Sequence, residues 1–155
     1  MHTDCTRVRS ATRGFTLVEV LVALVVMSVG MLGIAGLYLE GLRAGRTALY
    51  RTTAVNLAAD MAGRIRANQP AAIAYAGTGP GADESCVNGD EDCTPVELAA
   101  DDWFTWNKLI ETQLPDGASA EIQVNAAAAP IYTITLAWPE IGQTEPASYS
   151  LSVQP

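Results

Sequence analysis

The sequence predicts an α+β protein in which a long N-terminal helix, membrane-spanning in its first half, packs on a small antiparallel sheet of about three strands, with one extra helix. Three observations lead to this class. Twenty residues from Val20 to Leu39 carry no charge, an amphipathic stretch follows them without a break, and three segments near the C-terminus alternate apolar with polar residues. A chain of 155 residues has room for one small soluble domain beside such a helix.

The uncharged run has about the 20-residue length with which a helix crosses the roughly 30 Å hydrocarbon layer of a bilayer. Arg7, Arg9 and Arg13 precede this run. The positive-inside tendency therefore favours a cytoplasmic N-terminus with the remainder of the chain outside, although three more arginines beyond the span work against that orientation.

Beyond the uncharged run we expect the helix to continue as an amphipathic segment over residues 40–68. The apolar face of this segment consists of Leu49, Leu57, Met61 and Ile65. Its arginines are expected to form a solvated face. The helix should end at about Asn68, because Gln69 precedes Pro70 and helical geometry is unfavourable before a proline.

An irregular polar loop is predicted from Ala76 to Asp92, where glycines, prolines and acidic residues cluster. Cys86 and Cys93 have six residues between them, a spacing that allows a disulfide if the chain turns at Asn88-Gly89. An exported location favours the oxidised pair. The acidic residues at 90–92 do not follow the order of a calcium-binding loop, so no metal site is predicted.

A second helix should begin after Thr94, because Thr94-Pro95-Val96-Glu97 combines a capping box with proline at the first helical position. The apolar positions at helical spacing are Ala99, Trp103, Trp106, Ile110 and Leu114. We expect the tryptophans to pack in a core, and a role in stacking on a ligand is the minor alternative.

Three strands complete the prediction, after a turn at Leu114-Pro115-Asp116-Gly117. The alternating segments are Ala120 to Val124, Ile131 to Trp138 and Ser148 to Val153. An antiparallel sheet of these strands would bury its apolar face against the C-terminal half of the long helix.

Charge and composition argue against several functions. Six basic residues follow Gly14 against sixteen acidic ones, and no basic patch alternates with aromatic residues, so we expect no nucleic-acid partner. The single histidine is His2, and no nucleophile with a neighbouring histidine and no phosphate-binding glycine loop is evident. We therefore expect no catalytic residues, no cofactor and no enzymatic activity.

The residues from Arg13 to Glu19 read RGFTLVE. This motif resembles the type III signal of type IV prepilins and pseudopilins. The resemblance implies that a prepilin peptidase cuts after Gly14 and methylates Phe15, and that Glu19 is the family's carboxylate at the fifth mature position. It also implies the pilin fold, partnership with other pilin subunits through the N-terminal helix, and delivery to a pilus assembly platform.

Glu19 needs a physical reason to lie in an apolar helix, because a charge there costs about 2.5 to 3.5 kcal/mol at the bilayer centre and less near its edge. Cleavage would expose the amine of Phe15, a positive charge in the same apolar surroundings. Glu19 of an adjacent subunit could neutralise that amine, and the register between subunits would then follow from the pair.

Three glycines, Gly30, Gly33 and Gly36, recur along one stripe of the span, where helix backbones can approach closely or unwind. Many major pilins carry proline at the position of Gly36, so this departure is typical of a minor pilin or pseudopilin. The segments SVGMLGIAGL at 28–37 and NLAADMAGRIRANQP at 56–70 are most similar to PilV-type minor pilins, which are type IV pilus modification proteins.

These interpretations give a basic leader at 1–14 that is cleaved, a transmembrane and filament-core helix at 15–39, its amphipathic continuation at 40–68 and a small globular head at 69–155. The expected function is a minor pilin involved in type IV pilus assembly or modification, located in the bacterial inner membrane and then at the cell surface. Two alternatives stay open: a minor pseudopilin of a type II secretion system, and an adhesive or ligand-binding head displayed on a pilin helix.

Overall fold

The computed structural model describes residues 14–86, 92–125 and 130–154. Its elements are helix α1 at Leu17–Ala67, a 3-10 helix at Gln69–Tyr75, helix α2 at Pro95–Gln113, and strands β1 at Ser119–Asn125, β2 at Ile131–Trp138 and β3 at Ala147–Val153. The strands form one antiparallel sheet in the order β1-β2-β3. The predicted α+β class, with a long apolar N-terminal helix and a three-stranded sheet, is confirmed.

The chain divides into two compact units, Met1–Leu42 and Arg43–Pro155. The described part of the first unit is a helical segment whose side chains are all exposed. The second, which we call the globular unit, contains the C-terminal part of α1 and every other element.

The core of the globular unit lies between the apolar faces of α1, α2 and the sheet. On α1 the buried residues recur at three- and four-residue steps, and they are Ala54, Leu57, Ala58, Met61, Ala62 and Ile65. Leu49 was expected on this face but is exposed. It lies before Ala54, the first buried residue of α1, so none of the described packing covers it.

Helix α1 ends one residue before the expected boundary, and the chain then enters a 3-10 helix that the sequence analysis did not predict. Pro70 follows its first residue, a position where the missing N–H of proline costs no hydrogen bond. This short helix places the fully buried Tyr75 under α2, where the indole N–H of Trp103 donates to the Tyr75 carbonyl at 2.9 Å.

Helix α2 begins as predicted. The Thr94 hydroxyl accepts a hydrogen bond from the Glu97 amide at 3.3 Å, and the Glu97 carboxylate accepts one from the Thr94 amide at 2.7 Å. The bonds from Thr94 hold the pKa of Glu97 below its ordinary value. Trp103 and Trp106 are buried and meet edge to face with ring centroids 5.3 Å apart, as expected of core residues.

The segment after the 3-10 helix packs closely on α2. Gly81 has a positive φ of 78°, and a Cβ there would overlap the Ala100 carbonyl oxygen, so glycine is required at this position. Cys86 and Cys93 form a disulfide with their Cα atoms 5.7 Å apart. The turn expected at Asn88-Gly89 lies outside the described residues, as do two of the three acids at 90–92.

The sheet buries one face and exposes the other. Tyr132, Ile134, Leu136 and Trp138 of β2 are buried at alternate positions, while serines at 148, 150 and 152 of β3 are exposed. On the exposed face Thr135 and Ser150 share a hydrogen bond between hydroxyls at 3.0 Å. The three observed strands extend the predicted segments by at most one residue at either end.

Candidate functional site

The sequence motif lies at the start of α1, whose first helical residue is Leu17. The Glu19 amide donates to the Thr16 hydroxyl at 3.3 Å, and the Val20 amide donates to the Thr16 carbonyl at the same distance. Thr16 is therefore the N-cap of α1, and Glu19 occupies the third position of the helix. This cap was not among the predicted features, although the spacing Thr-x-x-Glu before an apolar run is a signal for it.

Phe15 precedes the cap and is 82% exposed. Glu19 lies one helical turn beyond it and is exposed as well. Residues at four-residue steps share one face of a helix, and this face continues through Ala23 and Met27. The structure thus places a carboxylate on an apolar stripe that begins next to the proposed cleavage junction.

Large apolar side chains of this segment find no partner among the described residues. From Phe15 to Leu42 their exposure runs from 49% at Val20 upwards. Single exposed apolar residues are ordinary, but a continuous exposed apolar surface indicates a membrane or a protein partner. Helix α1 is also the one element of the described ranges with the length and composition to cross a membrane.

Glycines in this segment are not required by contacts within the described chain. A Cβ at Gly14, Gly30, Gly33 or Gly36 would meet no atom within 4 Å. Packing within the described chain therefore does not account for glycine at these positions.

A second group of polar residues, which the sequence analysis missed, lies inside the globular unit. Asp102 of α2 is buried and accepts hydrogen bonds from Arg64 Nη1 at 2.9 Å and from the Tyr75 hydroxyl at 2.5 Å. Asn68 Nδ2 donates to the same hydroxyl at 3.2 Å and to the Pro95 carbonyl at 2.7 Å. The network joins α1, the 3-10 helix and α2, so its role is structural.

Two pKa values change because of this network. Burial raises the pKa of Tyr75 well above its ordinary value, and the hydrogen bond to Asp102 raises it further. Burial alone would lower the pKa of Arg64, but its hydrogen bonds to Asp102 and Asp60 outweigh that effect and raise it. Arg64 is thus an exception to the solvated arginine face expected from the sequence.

Metal ligands and free thiols do not mark a second site among the described residues. Within residues 14–86, 92–125 and 130–154 there is no group of three or more histidine, cysteine, aspartate or glutamate side chains that could hold a metal ion. Cys86 and Cys93 are joined to each other, so neither is a free nucleophile. The exposed motif at 14–19 is therefore the candidate functional site.

Comparison with protein families gives two adjacent matches. Residues 9–35 match the prokaryotic N-terminal methylation motif, and residues 36–104 match the type IV pilin Tt1218 family. No curated protein sequence and no solved structure matched the chain. The two matches support a type IV pilin, a family of structural subunits, and with the apolar helix they indicate a membrane-anchored pilin.

The matches also bear on the partners expected from the sequence. A pilin with an N-methylation motif implies processing by a prepilin peptidase and assembly with other pilins. The first match contains Gly14, Phe15 and Glu19, and the second contains the C-terminal part of α1, the cysteine pair and the first half of α2.

Proposed function

We propose that this pilin is a minor subunit of a type IV pilus that promotes assembly of the filament or modifies it. A prepilin peptidase cuts the precursor after Gly14 and methylates Phe15. The processed chain waits in the inner membrane, with its globular unit on the periplasmic side, until the assembly platform transfers it to the pilus. The similarity of segments 28–37 and 56–70 to PilV-type minor pilins supports this finer assignment.

The observation that carries the proposal is the exposed segment from Phe15 to Leu42 with one carboxylate near its start. Lipid covers such a surface before assembly, and the helices of other pilins cover it afterwards. The surface therefore suits a subunit that moves from a bilayer into a helical bundle. The glycine stripe, which meets nothing in the described chain, suits close helix packing in that bundle.

Glu19 is proposed to guide this transfer. The amine of Phe15 is a cation after cleavage, and the carboxylate of Glu19 on a neighbouring helix is a matching anion in apolar surroundings. Removing one partner of a buried ion pair costs about 3 to 5 kcal/mol because the other charge stays uncompensated. A subunit without the carboxylate is therefore expected to dock poorly.

Cleavage is tested by replacing Gly14 with leucine. The substitution fits into open space and disturbs no described contact, so its effect reports recognition by the peptidase. We expect the full-length precursor to accumulate in the membrane fraction, measured by intact mass. Gly30→Leu is the matched control, since it also has open space but lies beyond the junction. A mature chain of normal mass in the Gly14 variant would contradict the proposed cut.

Docking is tested with Glu19→Gln, which keeps the shape of the side chain and removes its charge. The helix cap survives, because the Thr16 hydroxyl is bonded to the backbone amide of residue 19 and not to its side chain. We expect normal cleavage and at least a tenfold smaller share of the chain in sheared filaments. A tenfold decrease corresponds to a free energy of about 1.4 kcal/mol.

Ser28→Ala is the matched control for Glu19→Gln. It removes a polar group from the same helix, where the Ser28 hydroxyl donates to the Val25 carbonyl at 2.8 Å, without changing charge. Equal incorporation of the Glu19 variant and the wild type would refute the charge-pairing mechanism.

Deletion of the gene distinguishes the proposed pilus role from a role in type II secretion. Loss of surface pili and twitching with normal enzyme secretion is expected. Intact pili with loss of enzyme secretion would instead identify a pseudopilin. Mass spectrometry of sheared filaments gives the direct measurement, since it detects both the chain and a methylated N-terminal Phe15.

A further inference from the structure

The two edges of the sheet differ. At the β1 edge, Gly77 forms a bridge to Ile122: the Gly77 amide donates to the Ile122 carbonyl at 2.9 Å, and the Ile122 amide donates to the Gly77 carbonyl at 2.8 Å. At the other edge, β3 pairs with β2 alone among the described residues. One edge is therefore partly closed by the chain itself, and the other presents unpaired backbone groups.

The bridge at Ile122 also fixes which backbone groups of β3 point outward. The N–H and C=O of one strand residue point to the same side, and this side alternates along the strand. Because Ile122 bonds away from β2, its partner Ile134 bonds toward β3, where it faces Leu151. Leu151 and the residues two positions from it thus bond to β2. The outward groups belong to Ser148, Ser150 and Ser152.

Within the described residues, β3 lacks the usual devices that prevent strand pairing. Its sequence, ASYSLSV, contains no charge and no proline, and seven consecutive pairs with β2 leave no bulge. Edge strands that stay unpaired in native proteins are commonly protected by lysine, proline, a bulge or a covering segment. Ala147, Tyr149 and Leu151 are only partly buried on the inner face, so apolar surface continues to the open edge.

A cavity of about 440 Å³ adjoins this edge. Arg51 and Val55 of α1, the segment after β2 and the first residues of β3 line it. Arg51 lies 3.7 Å from Glu140, so these charges compensate each other, whereas no described salt bridge reaches Glu145. The surface beside the edge therefore has a net negative charge.

The charge of the globular unit bears on what can occupy the edge. From Arg43 onward the sequence has six basic and fourteen acidic residues, a net charge of −8. Two such units side by side would repel each other, so a second copy is a poor occupant. A strand of a different subunit can supply backbone hydrogen-bonding partners for the open edge. If that strand is uncharged or basic, the acidic cavity does not repel it.

We propose that the open edge of β3 pairs with an extended strand from the head of a different, less acidic pilin subunit, so that the sheet continues between two chains. The backbone groups of Ser148, Ser150 and Ser152 supply the hydrogen bonds, and Glu145 faces a basic side chain of the partner strand. The inference rests on the proposed pilus role. It adds a contact surface on the globular unit to the contacts that the N-terminal helix makes with other pilins.

The test is photo-crosslinking of the full-length chain in intact cells, with a photoreactive phenylalanine analogue at position 148. The same analogue at position 123 is the matched control, because Gln123 is exposed on the same face of the sheet but lies on the β1 strand. We expect an adduct from position 148 alone, and peptide sequencing should place it in a strand of a different pilin. No adduct, or an adduct with a second copy of this chain, would overturn the proposal.

Variants at Ser150 test the backbone bond. Ser150→Pro removes an outward N–H without removing a bond to β2, and edge strands tolerate proline at such positions. Ser150→Ala removes only the hydroxyl. We expect the proline variant to reduce the adduct from position 148 about fivefold or more, the effect of one lost hydrogen bond, and the alanine variant to leave it unchanged. Equal adduct yields in both variants would count against strand pairing.

Amide hydrogen exchange keeps the test decisive if the proline variant fails to fold. In the wild-type chain, purified in detergent, the amides of Ser148, Ser150 and Ser152 should exchange quickly and those of Tyr149 and Leu151 slowly. Slow exchange at the three serines would mean that the edge is already closed. If position 148 forms an adduct but the chain is missing from sheared filaments, the pilus role is refuted and the edge inference stands. If the chain is present in filaments but forms no adduct, the edge inference is refuted and the pilus role stands.

Discussion

Replacement of Asp102 by asparagine should destabilise the globular unit through one identifiable network. Asp102 is 6% exposed, and its two oxygens accept separate hydrogen bonds from Arg64 and from the Tyr75 hydroxyl. Asparagine has nearly the same volume, so no cavity is expected. It carries no charge, and its amide nitrogen cannot accept the bond that one of these donors now makes.

The size of the destabilisation depends on which interactions Arg64 and Tyr75 keep after the substitution. A hydrogen bond to a charged group contributes about 1.5 to 3 kcal/mol, and breaking a buried ion pair costs about 3 to 5 kcal/mol. Arg64 remains hydrogen-bonded to Asp60 at 2.9 Å and is partly exposed to solvent, so the larger cost does not apply in full. We expect Asp102→Asn to lower the free energy of unfolding by about 2 to 3 kcal/mol, which is roughly 10 °C in Tm for a unit of this size.

The assay is urea unfolding of the full chain in detergent, followed by tryptophan emission. All three tryptophans, Trp103, Trp106 and Trp138, belong to the globular unit, so the signal is insensitive to the membrane segment. Asp116→Asn is the matched control, because Asp116 is exposed and should change the free energy by no more than about 0.5 kcal/mol. A change equally small for Asp102→Asn would refute the view that this network stabilises the fold.

Two further predictions concern the same unit. The unfolding free energy should fall as the pH rises above about 10, the ordinary pKa of tyrosine, because the raised pKa of Tyr75 keeps the folded state protonated while the unfolded state loses its proton. Tyr75→Phe should make this decline shallower in pH-dependent urea titrations. Part of the decline should remain, because burial also raises the pKa of Tyr132. An unchanged slope in the variant would contradict the attribution of the decline to Tyr75. Cys86→Ser should lower the unfolding free energy by about 2 kcal/mol and change mobility on non-reducing gels, and two titratable thiols in the oxidised wild-type mature chain would show that the disulfide does not form.

Much of the fold follows from local patterns. The capping box at Thr94 and the alternation within β2 act through neighbouring residues, and the structure has a helix and a strand at these positions. The proline after Gln69 predicted the end of the long helix, which ends at Ala67, one residue before the expected boundary. The tryptophans of α2 were expected in the core because their spacing is helical, and they are buried. Such signals need no knowledge of distant contacts.

Contacts between distant segments explain what was missed. Leu49 has the angular position of a core residue, but burial depends on where the other elements end, and they leave it exposed. Asp102 occupies a core-facing position of α2 that polarity alone would place outside, and it is stable there because Arg64 and Tyr75 arrive from other elements to pair with it. The sequence did contain a signal for the burial of Asp102, because this residue lies one helical turn from both Ala99 and Trp106, which are predicted core positions.

The sequence by itself determined the candidate site, since Gly14, Phe15, Glu19 and the uncharged run after them are consecutive residues whose pattern does not depend on distant contacts. Only the tertiary structure decided which sheet edge is open. The bridge from Gly77 to Ile122 joins segments 45 residues apart and closes the β1 edge at that point, while β3 gains no such partner among the described residues. Strand pairing is a long-range contact, and alternation along a strand carries no information about which neighbour it meets.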